Sequence, residues 1–172
     1  MTAATTTAVD PITLTVIWNS LISIADELGI TLRHTAFSEG VREGDDFSTA
    51  LFDRNAVLIA QGNFSPGHLG SMPAMAKHVL RYFPAETLKP GDSVLVNDSF
   101  IGAGHFPDTY QIMPVFLGEA LIQVFGACEA ADGCLEDAVV EDVVAELVKA
   151  AGQAAGVERG CLDRAGEVEA AS

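Results

Sequence analysis

The chain has 172 residues, 49% of them apolar, and a formal net charge of −15 at neutral pH. That length fits one domain or a piece of a larger one, and the apolar share is enough for a real core. The charge argues against a nucleic-acid surface, which needs clustered lysine and arginine, and no apolar run approaches the roughly 20 residues of a membrane span.

Residues 1–9 are small and polar and predict disorder. They lack the basic and apolar regions of a signal peptide, so a cytoplasmic location is expected. Asp10-Pro11 then opens a long helix, with Asp as cap and Pro at the first helical position. Leu14, Ile17, Leu21, Ile24, Ala25 and Leu28 recur mostly at i+3 and i+4 and predict a buried stripe. Gly29 interrupts the pattern, and residues 31–35 can resume it. The polar stretch 38–46 reads as a loop. Two short strands follow at residues 47–52 and 57–60, with Asp53-Arg54-Asn55 as the hairpin turn.

Residues 61–71 are rich in Gly, Ser and Pro and carry His68. Ser71 is placed to cap a shorter helix running through Met75, Val79 and Leu80 to about Tyr82. Pro84 and Pro90-Gly91 bound the next loop, and a strand follows at residues 93–97. Residues 110–117 and 120–126 predict a second hairpin about Gly118-Glu119.

The loop 97–108 reads Asn-Asp-Ser-Phe-Ile-Gly-Ala-Gly-His-Phe-Pro-Asp. Loops between strands are where folds usually present working side chains. His105 and Asp108 suit a borderline divalent ion such as Mn, Fe or Zn. Their i, i+3 spacing can aim both inward, with Pro107 stiffening the turn. A loop histidine bonded to a nearby carboxylate is the other reading of the same residues.

After Gly126 the composition changes. Residues 127–172 contain no aromatic, proline or histidine and hold all three cysteines, Cys128, Cys134 and Cys161. No CxxC pair or dense disulfide framework is present, so free thiols are expected. Val139, Val143, Leu147 and Ala151 can line one face of an acidic helix, and beyond Gly152 the pattern predicts disorder. Two origins fit this tail: a natural acidic extension, or an out-of-frame reading of GC-rich DNA. The second is the expectation, because agreement among turns, strands and caps is missing from the final twenty or so residues. The organisation expected is a disordered 1–9, a domain at 10–126 and an acidic tail at 127–172. The fold class expected is α+β: a long N-terminal helix, β-hairpins forming a mixed sheet, and one shorter helix over it.

The segments Asp10-Pro-Ile-Thr-Leu-Thr-Val-Ile-Trp18, Leu32-Arg-His-Thr-Ala-Phe-Ser38 and Asp46-Phe-Ser-Thr-Ala-Leu-Phe-Asp53 carry a resemblance. So do His68-Leu-Gly-Ser-Met-Pro73 and Asn97-Asp98 with Gly102-Ala-Gly-His-Phe-Pro-Asp108. In this order and spacing they resemble the N-terminal portion of the hydantoinase B/5-oxoprolinase family, which is related to a large subunit of acetone carboxylase. The resemblance implies a partner, a hydantoinase A-type subunit that uses ATP to activate a carbonyl. It implies a small cyclic amide, hydantoin or 5-oxoproline in type, as the substrate of hydrolysis, or alternatively a ketone to be carboxylated. It implies metal ligands at His105 and Asp108. Catalytic roles are expected for His68, as a general base or substrate contact, and for Asp98, as a carboxylate orienting His105. A loop-ordering hydrogen bond for His68 and a turn cap for Asp98 stay open beside these. His34 and His78 read as packing or surface histidines. The family's further histidine-rich segment has no counterpart at residues 126–134, which leaves room for a non-catalytic assembly module or inactive remnant.

Overall fold

Asp10 sits in extended geometry before α1 (Pro11–Thr35), and its Oδ1 accepts from the N–H groups of Ile12 and Thr13 at 2.9 and 3.1 Å. The Thr13 hydroxyl also donates to the Asp10 carboxylate. These bonds hold the carboxyl below its ordinary pKa, the Thr13 hydroxyl contributing most. The computed structural model describes residues 10–102, 107–117 and 120–129. The expected disorder of 1–9, the turn at Gly118-Glu119, the acidic tail helix and His105 lie outside the described residues.

Only the second half of α1 is buried, through Ile24, Ala25, Leu28, Gly29 and Leu32. Leu14, expected in the stripe, is 52% exposed, and Trp18 beside it is 53% exposed. The reason is length. A helix of 25 residues reaches about 37 Å, whereas the six-residue strand β1 (Phe47–Phe52) beneath it spans about 20 Å. Gly29 does not break the helix. A Cβ there would lie 2.0 Å from the Phe64 ring, so the glycine is the seat on which Phe64 rests. Phe64 in turn packs on Phe47 at 4.6 Å between ring centroids, with the Arg33 guanidinium 5.5 Å from its ring. Arg33 also pairs with Asp45 at 2.6 Å. The stretch that reads as a loop at 38–46 contains one short helix, α2 (Glu39–Arg42), which buries Val41.

The strands β1, β2 (Leu58–Gln61), β3 (Val94–Val96), β4 (Thr109–Leu117) and β5 (Ala120–Glu129) form one sheet in the order β2-β1-β5-β4-β3. Every pairing among them is antiparallel. This corrects the mixed sheet expected from sequence. Both hairpins are antiparallel by construction, and β5 joins them through β1 in the same sense, so no parallel crossover is needed. β5 continues to Glu129, three residues past the change in composition, and Glu129 pairs with Phe47.

β1 is buried at all six positions because a helix covers each face. Leu51 packs with Ile24, Leu28, Met113 and Val115 on the α1 face. Ala50 and Phe52 pack with Tyr110, Ile112 and the residues Met72, Met75, Ala76 and Val79 of α3 (Met72–Tyr82) on the other. Each large apolar side chain so buried contributes about 1.5–3 kcal/mol. The alternation of the strand therefore sends 47, 49 and 51 toward α1 and 48, 50 and 52 toward α3. In the β1–β2 turn, Asp53 Oδ1 accepts from the N–H groups of Asn55 and Val57 at 2.9 and 2.8 Å. Burial alone raises the Asp53 pKa, but the hydrogen bonds from Val57 and Asn55 outweigh it and hold the group below its ordinary value. No helix among the described residues is long and apolar enough to cross a membrane.

Candidate functional site

One end of the α3 face gathers the polar residues. Ser48 is the second residue of β1, and Asp108 immediately precedes β4. Across the sheet, Ser48 is the register partner of Cys128, and Cys128 of Tyr110. Ser48 and Tyr110 thus stand in one row with β5 between them, about 10 Å apart by strand spacing.

His68 comes down from the 62–71 loop between β1 and β4. Its Nδ1 lies 3.5 Å from Ser48 Oγ, and its Nε2 lies 3.6 Å from Asp108 Oδ2. The Asp108 side chain is 2% exposed and that of His68 is 12% exposed. A carboxylate at that depth is costly unless partnered, and the imidazole is one neighbour able to carry the compensating proton or share a cation. The root of the imidazole is fixed. The His68 carbonyl accepts from the N–H groups of Ser71 and Met72 at 3.1 and 3.0 Å and from the Ser71 hydroxyl at 3.0 Å.

Ser71 has the identity of a cap for α3, but its side chain makes no cap bond. Its proton goes to the His68 carbonyl, so at 2.6 Å the Tyr110 hydroxyl donates to it. The residue ties the His68 loop to β4 instead. Gly102 completes the wall. A Cβ on it would stand 2.6 Å from both Met75 Cε and Tyr110 Cε2, so only glycine lets the 97–102 loop approach α3 and β4 this closely.

Ser48, His68 and Asp108 have the composition of a nucleophilic triad but not its wiring. In such a triad the serine bonds Nε2 and the carboxylate bonds Nδ1. Here the two are reversed. Ser48 is also 1% exposed and donates its proton to the Ser65 carbonyl, which removes it from reach of a substrate. The working pair is imidazole and carboxylate, a donor set that fits a borderline divalent ion or proton transfer. Among the described residues no group of three or more His, Cys, Asp or Glu side chains is placed to hold a metal ion.

Of the residues singled out from sequence, the fold brings His68 and Asp108 together across forty positions. Asp98 is exposed, and it caps its own loop: Oδ1 accepts from Phe100 N–H at 2.9 Å, and the carbonyl from Ile101 and Gly102. It lies on the wall of a second cavity of about 670 Å³ between α3 and β3, which His78 and Asp92 also line. His34 is exposed on α1. Ser48 reads from sequence only as part of a strand. Its signal is the alternation that turns it to the same face as Ala50 and Phe52.

The class defined by these features is an α+β domain: an antiparallel sheet with a helix on each face and a buried imidazole–carboxylate pair at its end. Residues 10–132 match the hydantoinase B/oxoprolinase family model. The chain belongs to the hydantoinase B/oxoprolinase family. It is 38% identical over 115 residues to an uncharacterized protein of Methanocaldococcus jannaschii, covering 66% of this chain and 20% of that one. Against the 5-oxoprolinase of Saccharomyces cerevisiae the identity is 37% over 126 residues, covering 72% of this chain and 10% of the relative. Against the B-type subunit of a D-/L-hydantoinase from a Pseudomonas species it is 33% over 117 residues, covering 66% and 20%. The ATP-dependent caprolactamase of Pseudomonas jessenii superposes with a TM-score of 0.60 at 32% identity, over 72% of this chain and 21% of that one. Acetone carboxylase, in its nucleotide-free form, shares the fold with a TM-score of 0.62 at 22% identity, over 70% and 16%. The chain therefore spans a tenth to a fifth of the length of these relatives.

Proposed function

We propose that this chain is the N-terminal portion of a hydantoinase B/oxoprolinase-type subunit. Its parent reaction is ATP-dependent opening of a small cyclic amide, run in the cytoplasm with an A-type partner that uses the ATP. The Pseudomonas relative is by name one subunit of a hydantoinase, which supports the partner. The names of the yeast oxoprolinase and the caprolactamase support the substrate class.

The observation that carries the reading is the pair of His68 Nε2 and Asp108 Oδ2, 3.6 Å apart at the foot of the loop that contains His105. Asp108 and His105 are the proposed ligands of a divalent ion, Mn, Zn or Fe. When bound, that ion supplies polarisation of the amide carbonyl or of water. His68 holds or passes a proton at Nε2 beside it. Asp98 shapes the turn that leads to His105, the position from which it would orient that imidazole.

Two measurements test this. Equilibrium dialysis against Mn or Zn should show uptake that His105→Ala and Asp108→Ala abolish; unchanged uptake would put the metal elsewhere. The isolated chain with ATP and hydantoin or 5-oxoproline should show no turnover until an A-type partner and the remaining B-type sequence are supplied. Turnover by the chain alone would refute the portion reading.

A further inference from the structure

We infer that Ser48 is a positioning residue that fixes the protonation pattern of His68, keeping the proton on Nδ1 and turning the Nε2 lone pair toward Asp108. This rests on the His68–Asp108 site proposed above.

Proton counting carries the inference. A serine hydroxyl has one proton and two lone pairs. The Ser48 proton is committed to the Ser65 carbonyl, an oxygen that can only accept. That carbonyl cannot swing away, because the Ser65 N–H is bonded to the Phe47 carbonyl at 3.1 Å. Toward His68 the Ser48 oxygen therefore offers only a lone pair. At 3.5 Å it faces Nδ1, so Nδ1 carries the hydrogen. In a neutral imidazole the other nitrogen is then bare. Nε2 and Asp108 Oδ2 lie 3.6 Å apart, and two lone-pair atoms so placed call for a proton or a cation to share. Burial of Ser48 at 1% exposure, on a strand covered on both faces, keeps water from taking over its role. The hydroxyl thus acts through the imidazole, and it never meets a substrate.

The test reads the ring nitrogens directly. Long-range 1H–15N correlation spectra of the whole chain are recorded at alkaline pH, where an ordinary imidazole is neutral. The four histidines are few enough to assign, with His68→Gln identifying the resonance. The expected result is the Nδ1–H form as the dominant His68 tautomer in the parent chain. Ser48→Ala should lose that dominance, and Ser48→Thr, which keeps the hydroxyl, should restore it. The Nε2–H form in the parent chain would overturn the assignment without any variant being needed. So would an unchanged pattern in a folded Ser48→Ala chain. Apparent Mn or Zn affinity should also fall about 10- to 100-fold in Ser48→Ala, as loss of such supporting bonds does. A tautomer change with no metal uptake even in the parent chain would sink the metal reading and leave the Ser48 assignment standing.

Discussion

Replacing Gly29 by alanine should destabilise the protein although it improves the helix. Alanine gains about 1 kcal/mol over glycine in a helix interior. Against that, the new Cβ would stand 2.0 to 2.6 Å from three atoms of the Phe64 ring. The ring must move, and insertion of a methyl into a filled contact costs about 1–3 kcal/mol. Moving it also weakens its stacking on Phe47, worth about 0.5–1.5 kcal/mol, and its contact with Arg33, worth about 0.5–1 kcal/mol. The balance is a loss of about 2 kcal/mol. Urea unfolding reads this as a drop in midpoint of about 1 M, for a slope of about 2 kcal/mol per M. A double-mutant cycle sharpens the test. In a Phe64→Ala background the seat is empty, and Gly29→Ala should turn stabilising by about the helix-propensity term. If Gly29→Ala alone raised the midpoint, Phe64 would not rest on that helix. The anchoring of the loop that carries Ser65 and His68 would then need another account.

Gly102→Ala should cost about 1–3 kcal/mol, since its Cβ meets both Met75 and Tyr110 at 2.6 Å; a thermal melt unchanged from the parent would refute the close approach. Asp53 has a folded pKa below its ordinary value of 3.8, so its contribution is present above that value and lost as pH falls through the folded one. Asp53→Asn should flatten that part of the acid-unfolding curve, and an unaltered curve would count against the turn. Asp108→Asn keeps the shape but removes the charge. It should lower Mn or Zn uptake while leaving the fold's circular dichroism intact, and undiminished uptake would exclude Asp108 as a ligand.

Local chemistry is legible in the sequence. The turn signals place the strands of both hairpins, and the shorter helix ends at Tyr82 as its periodicity requires. What fails are positions where a distant partner decides. Gly29 looks like an interruption until Phe64, thirty-five residues on, is seen resting on it. Ser71 has the right identity for a cap, but Tyr110 and the His68 carbonyl compete for its hydroxyl. Leu14 belongs to a stripe whose first half outruns the sheet. The meeting of His68 with Asp108 depends on β5 entering between β1 and β4, and no spacing along the chain encodes that. Ser48 is invisible for the same reason, since a serine in a strand acquires meaning only from what faces it.

The strand order also bears on how the chain is made. β5 is last in sequence among the strands and lies in the middle of the sheet. On a ribosome, the β1–β2 hairpin emerges some sixty residues before the strand that must join it to β4. Through that interval β1 has an open edge on one side, with apolar residues on both faces, the kind of surface that recruits other chains. Closing the β1–β5 contact also closes a long loop, a slow and entropically costly event. Synthesis that stalls before residue 120 would therefore release two unjoined halves with no site between them. The nascent chain's exposure to chaperones should peak there and fall once Glu129 has cleared the exit tunnel and found Phe47.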